Sequence, residues 1–84
     1  MVGMSYMIEV FYREPSDPSL DADILATAKQ FGGEQTFKEE PKPGDISRAV
    51  CLTIEFDDIE SAEAATLTLQ NLGRHVEGPM DYGE

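Results

Sequence analysis

Basic residues are scarce in this chain of 84 residues: 6 Lys and Arg stand against 17 Asp and Glu, a formal charge of −11. Affinity for a phosphate backbone begins with Lys and Arg displacing counterions, so this balance excludes nucleic acid as a partner and, on the same ground, an anionic membrane surface. Cysteine and histidine occur once each, as Cys51 and His75. An intramolecular disulfide and a zinc site of paired Cys and His are both excluded, and no cofactor or metal is expected. No apolar run approaches the roughly 18 residues of a membrane span. Residues 1–7 also lack the charged start and apolar stretch of a secretory signal, so a cytoplasmic protein is expected. Met1, Met4 and Met7 leave the true start open, and residues 1–4 read as an extension ahead of one domain over 5–82, with 83–84 as a tail.

Hydrophobic residues make up 40% of the chain, and they are periodic, which is the pattern of a foldable sequence. A domain of this size buries only about 60–65% of its unfolded surface, so its stability is modest and it has no room for a large internal cavity. Tyr6, Ile8, Val10 and Tyr12 alternate with Met7, Glu9, Phe11 and Arg13, which predicts a first strand. Asp17 then stands as a cap before Pro18, and Leu20, Ile24, Leu25, Ala28 and Phe31 recur at helical spacing, with Asp21, Asp23, Lys29 and Gln30 on the wet side; Gly32 and Gly33 close the helix. Gln35, Phe37 and Glu39 alternate with Glu34, Thr36 and Lys38 in a charged strand suited to a sheet edge.

After the turn at Pro41 to Asp45, the run with Arg48, Val50, Leu52, Ile54 and Phe56 on one face and Ala49, Cys51, Thr53 and Glu55 on the other predicts a central strand. Asp57, Asp58, Glu60 and Ser61 favour a helix start, followed by the stripe Ala62, Ala65, Leu69 and Leu72 and a stop at Gly73. His75, Val76 and Glu77 make a short last strand closed by Gly78 and Pro79, with Tyr82 in the tail. The order βαββαβ, with a right-handed crossover through each helix, predicts a ferredoxin-like α+β sandwich with two helices on one face of a four-stranded antiparallel sheet.

The stretch from Arg48 to Phe56, with the helix after it, resembles the third strand and second helix of RNA-recognition-motif domains, a resemblance of topology over about a third of the chain. That family stacks bases on aromatics of its open sheet face beside basic residues. Here the corresponding third-strand positions are Cys51 and Thr53, its basic and glycine positions fall on Ala49 and Val50, and only Phe11 offers a ring. Copper chaperones share the topology, but their CxxC is replaced by Arg13, Glu14, Pro15 and Ser16; acylphosphatases share it too, but their Arg and Asn reduce here to Arg13 and a helical Asn71.

Seven of the seventeen acids lie at helix starts: Asp17, Asp21, Asp23, Asp57, Asp58, Glu60 and Glu63. There they complement the macrodipole and lack the ligand order of a calcium loop. If Ile8, Val10, Val50, Leu52, Ile54 and Val76 point at the helices, the open face holds Met7, Glu9, Phe11, Arg13, Ala49, Cys51, Thr53, Glu55, His75 and Glu77. An apolar centre rimmed by charges marks an interaction surface. The leading expectation is a small acidic binding or regulatory domain, acting through Met7, Glu9, Phe11, Arg13, Cys51, Thr53, Glu55 and His75 or through an edge strand, on a copy of itself or another protein. Two such faces together would also enclose a cleft for a small-molecule ligand. Two other expectations stand beside it: a small enzyme using His75 with a carboxylate such as Glu9 in that dimer cleft, and an acidic imitation of nucleic acid aimed at a basic protein.

Overall fold

The computed structural model describes residues 6–46 and 48–81. The expected extension at residues 1–4, Tyr82 and the tail at 83–84 lie outside the described residues. The elements run β1 (Tyr6–Arg13), α1 (Pro18–Lys29), β2 (Glu34–Glu39), β3 (Ala49–Phe56), α2 (Ile59–Asn71) and β4 (His75–Asp81). Their strands form one antiparallel sheet in the order β2-β3-β1-β4, with the two helices against one face, so the ferredoxin-like expectation holds.

Each helix begins where a side chain can satisfy its free amides. Asp17 accepts from the amides of Ser19 and Leu20 at 3.0 and 3.2 Å, and Asp58 accepts from that of Ser61 at 2.9 Å. The Ser61 hydroxyl also donates to Asp58, at 2.9 Å, and the two bonds hold the Asp58 carboxyl below its ordinary value. The core lies between the helices and the inner sheet face, where Ile8, Val10, Ile24, Ala28, Leu52, Ile54, Phe56, Ala62, Ala65, Leu69 and Val76 form one cluster. The amide of Gly33 bonds the Ala28 carbonyl at 2.9 Å and turns the chain from α1 into β2. A Cβ at Gly33 would lie 2.6 Å from the Phe56 ring and 2.9 Å from Ile54 Cγ2, so here close packing is what demands glycine.

Five local expectations are corrected. Arg48 does not belong to β3: it has a positive φ of 55° and lies ahead of the strand, with its guanidinium paired to Glu14. Leu72 is 57% exposed, because the helix ends there; the interior place beside Leu69 goes to Thr66, whose hydroxyl donates to the Ala62 carbonyl at 2.8 Å. Asp21 is not on the wet side of α1. Its carboxylate accepts from the Tyr12 hydroxyl at 2.6 Å and from Lys38 Nζ at 2.5 Å, which ties α1 to β1 and β2. The hydrogen bond to Asp21 also raises the Lys38 ammonium above its ordinary value.

The two remaining corrections are bulges. β4 continues past Gly78 and Pro79 to pair Met80 with Met7, because two residues there oppose Ile8 and let the ladder resume. In β2, Thr36 is the extra residue between the Gln35–Ile54 and Phe37–Thr53 pairs. Strict alternation would keep Gln35 and Phe37 on one face; the bulge leaves Gln35 and Lys38 on the helix side and turns Phe37 outward.

Candidate functional site

The outer sheet face is covered by neither helix, and the strand register arranges its side chains in rows. His75, Phe11, Cys51 and Glu39 lie across one row; Glu77, Glu9, Thr53 and Phe37 across the next; Met80, Met7, Glu55 and Glu34 across the third. All eight residues predicted for the site share this face: Met7, Glu9, Phe11 and Arg13 from β1, Cys51, Thr53 and Glu55 from β3, and His75 from β4. Sequence reasoning missed Phe37, which is 58% exposed, and also Glu34, Glu39 and Met80. Nothing in the alternation of β2 signals Phe37, because the bulge that redirects it is a property of the paired strands.

The expected apolar centre with a charged rim is not what forms. Glu9 stands on a central strand between Thr53 and Glu77, so carboxylates and apolar groups interleave. Five glutamates share the face: Glu9, Glu34, Glu39, Glu55 and Glu77. Two pairs of them, Glu9 with Glu77 and Glu34 with Glu55, are direct cross-strand neighbours, an arrangement that costs stability. Their described polar contacts are sparse: Thr36 donates its hydroxyl to Glu55 at 3.3 Å, and Glu77 Oε2 lies 3.3 Å from His75 Nε2.

His75 therefore has a different carboxylate partner from the expected Glu9. It contacts Glu77 two residues along its own strand, and its ring meets Phe11 edge-on, with centroids 5.6 Å apart. The His75 and Glu77 side chains are 67% and 59% exposed, so the pair is open to water. Cys51 is half-buried and free. Burial pushes its thiol up to about 11, and Glu9, Glu39 and Glu77 push in the same direction. A thiol so placed is protonated at neutral pH and is a poor nucleophile. Among the described residues, no group of three or more His, Cys, Asp and Glu is arranged to hold a metal ion.

At one end of the face a cavity of about 160 Å³ is floored by Phe11, Ala49 and Cys51 and walled by Glu39, Glu40, Pro41 and Asp45. Larger hollows of about 580 and 490 Å³ flank the turn near Pro43 and share Glu14, Ile46 and Arg48; their described linings contain no His, Ser or Cys. No described helix is long and apolar enough to cross a membrane.

No protein-family model and no curated protein matches the chain. Among solved structures it is similar to the prephenate dehydratase from Staphylococcus aureus subsp. aureus Mu50, with a TM-score of 0.62 and 16% identity over 96% of this chain. The chain spans about a third (31%) of that protein's length, and at this identity the likeness is one of fold.

Proposed function

We propose that the protein is a small binding or regulatory domain whose uncovered sheet face is its contact surface for another protein. The observation that carries this reading is the face itself: Met7, Phe11, Phe37 and Met80 lie on a sheet surface that neither described helix covers, both helices lying on the other side. The likeness to about a third of a larger enzyme chain is in keeping with a module of this kind.

The alternative through an edge strand is less well supported. β2 is short, charged and bulged at Thr36, and β4 is interrupted by Gly78 and by Pro79, which has no amide to donate; both are devices that blunt an edge. The enzyme alternative needs a positioned nucleophile. His75 and Glu77 sit in water, and Cys51 lies beyond Phe11 as a protonated thiol. A free, inert cysteine also suits a reducing cytoplasmic setting.

Photo-crosslinking tests the face directly. With a benzophenone side chain in place of Phe37, cells should yield a crosslinked protein adduct, whereas the same group in place of the exposed Leu67 on α2 should not. Equal yields from both positions, or none from position 37, would overturn the reading.

A further inference from the structure

Resting on that reading, we infer that the partner of the open face is a cationic segment of another protein, with one Lys or Arg side chain seated in the cavity beside Phe11. Charge complementarity points to this partner. Glu9, Glu34, Glu39, Glu55 and Glu77 face outward, and the cations sharing the face are Arg13 at its end and His75 when protonated. Of the other described cations near this region, Lys38 is held on the helix side by Asp21, 3.9 Å from Glu40, and Arg48 is paired to Glu14, while Lys42 stands exposed in the turn between Pro41 and Asp45.

A second copy is the wrong occupant. Two such faces together would set each copy's five glutamates against the other's, with like charges losing water as they meet. Nucleic acid and anionic lipid are excluded by the same sign. The acids are also placed where they harm the isolated domain, opposite one another in two cross-strand pairs. Stability is commonly sacrificed in this way where a surface must meet a ligand.

The cavity suits one long cationic side chain. Its floor of Phe11, Ala49 and Cys51 would take the alkyl stem and offer a ring face to the charge, while Glu39, Glu40 and Asp45 would accept its hydrogens. On the same face, after burial, the carboxylates of Glu9, Glu39 and Glu77 all push the half-buried Cys51 thiol upward.

The test uses a fluorescein-labelled peptide of alternating Arg and Val, its Glu and Val counterpart, and fluorescence anisotropy. Two charge-matched variants separate the face from overall acidity: Glu9→Gln with Glu39→Gln and Glu77→Gln on the sheet, and Asp23→Asn with Glu60→Gln and Glu63→Gln on exposed helix positions. The Arg peptide should bind, and the Glu peptide should not. The sheet variant should weaken binding about tenfold or more at about 0.1 M salt, and the helix variant less than about twofold. The sheet substitutions relieve repulsion, so an unchanged or higher melting temperature should accompany the loss. Equal weakening by both variants, no binding of the Arg peptide, or a weakly bound sheet variant that has unfolded would overturn the assignment. If the peptide fails while position 37 still crosslinks a protein, the face stands as a binding surface and the cationic partner falls; if position 37 also fails, both fall.

Discussion

Cys51 shows how one residue's chemistry is set by its neighbours. Its side chain is half-buried on β3 beside Phe11, and burial first, then the nearby glutamates, push the thiol up from 9.0 to about 11. Between these values the unfolded chain is ionised while the native thiol holds its proton. The native state therefore binds more protons, and stability is lost as pH rises from about 9 towards 11. Replacing Cys51 with Ser should remove that component from a series of urea melts over this range. At pH 8, iodoacetamide should alkylate the native protein on the order of 100-fold more slowly than the urea-unfolded chain, the ratio of thiolate fractions for this shift. Comparable rates in the two states would show that the thiol is neither buried nor shielded as described.

Among the elements, the two irregular strands decide what the sheet presents. At Gly78 the chain adopts a φ of 109°, and a Cβ there would stand 2.9 Å from the Met7 carbonyl oxygen. Gly78→Ala should therefore cost about 1–3 kcal/mol in chemical denaturation, through backbone strain and a contact with immobile main chain. An unchanged midpoint would mean that β4 does not follow β1 through this bulge. The bulge at Thr36 has the opposite sort of consequence. It keeps Lys38 on the helix side, where it reaches Asp21 and Ser16, and sends Phe37 to the open face. The regular elements were legible in advance because each has one dominant period: two for β1 and β3, and helical spacing for α1 and α2. The bulges were not, since a single extra residue matters only when a partner strand is present to define the register.

For the whole molecule, the −11 charge acts as a self-repulsion spread over helix starts and the open face. Raising salt from about 0.01 to about 0.2 M should increase the melting temperature, because screening relieves Glu9 against Glu77 and Glu34 against Glu55 more than it weakens the partly buried Lys38–Asp21 pair. A melting temperature that falls with salt would show that the ion pairs outweigh the repulsion. The same charges oppose phosphate backbones and a copy of the face, which is the ground for proposing a cationic partner.

The alternation and spacing of apolar residues, with the acids ahead of each helix, were enough to establish the order βαββαβ, the helix cap at Asp17, a helix start within Asp57 to Ser61, the central place of β3 and the parity that puts Met7, Phe11, Cys51 and Thr53 on one face. These depend on local periods and on side chains bonding their own backbone, both of which are written in consecutive residues. The partner of His75, the outward turn of Phe37, the addition of Glu34 and Glu39 and the placing of like charges opposite each other emerged only from strand pairing. Cross-strand neighbours are far apart in the chain, and their register depends on two bulges. Composition therefore reports how much negative charge the protein carries, whereas only the paired sheet shows that five of its glutamates share one uncovered face.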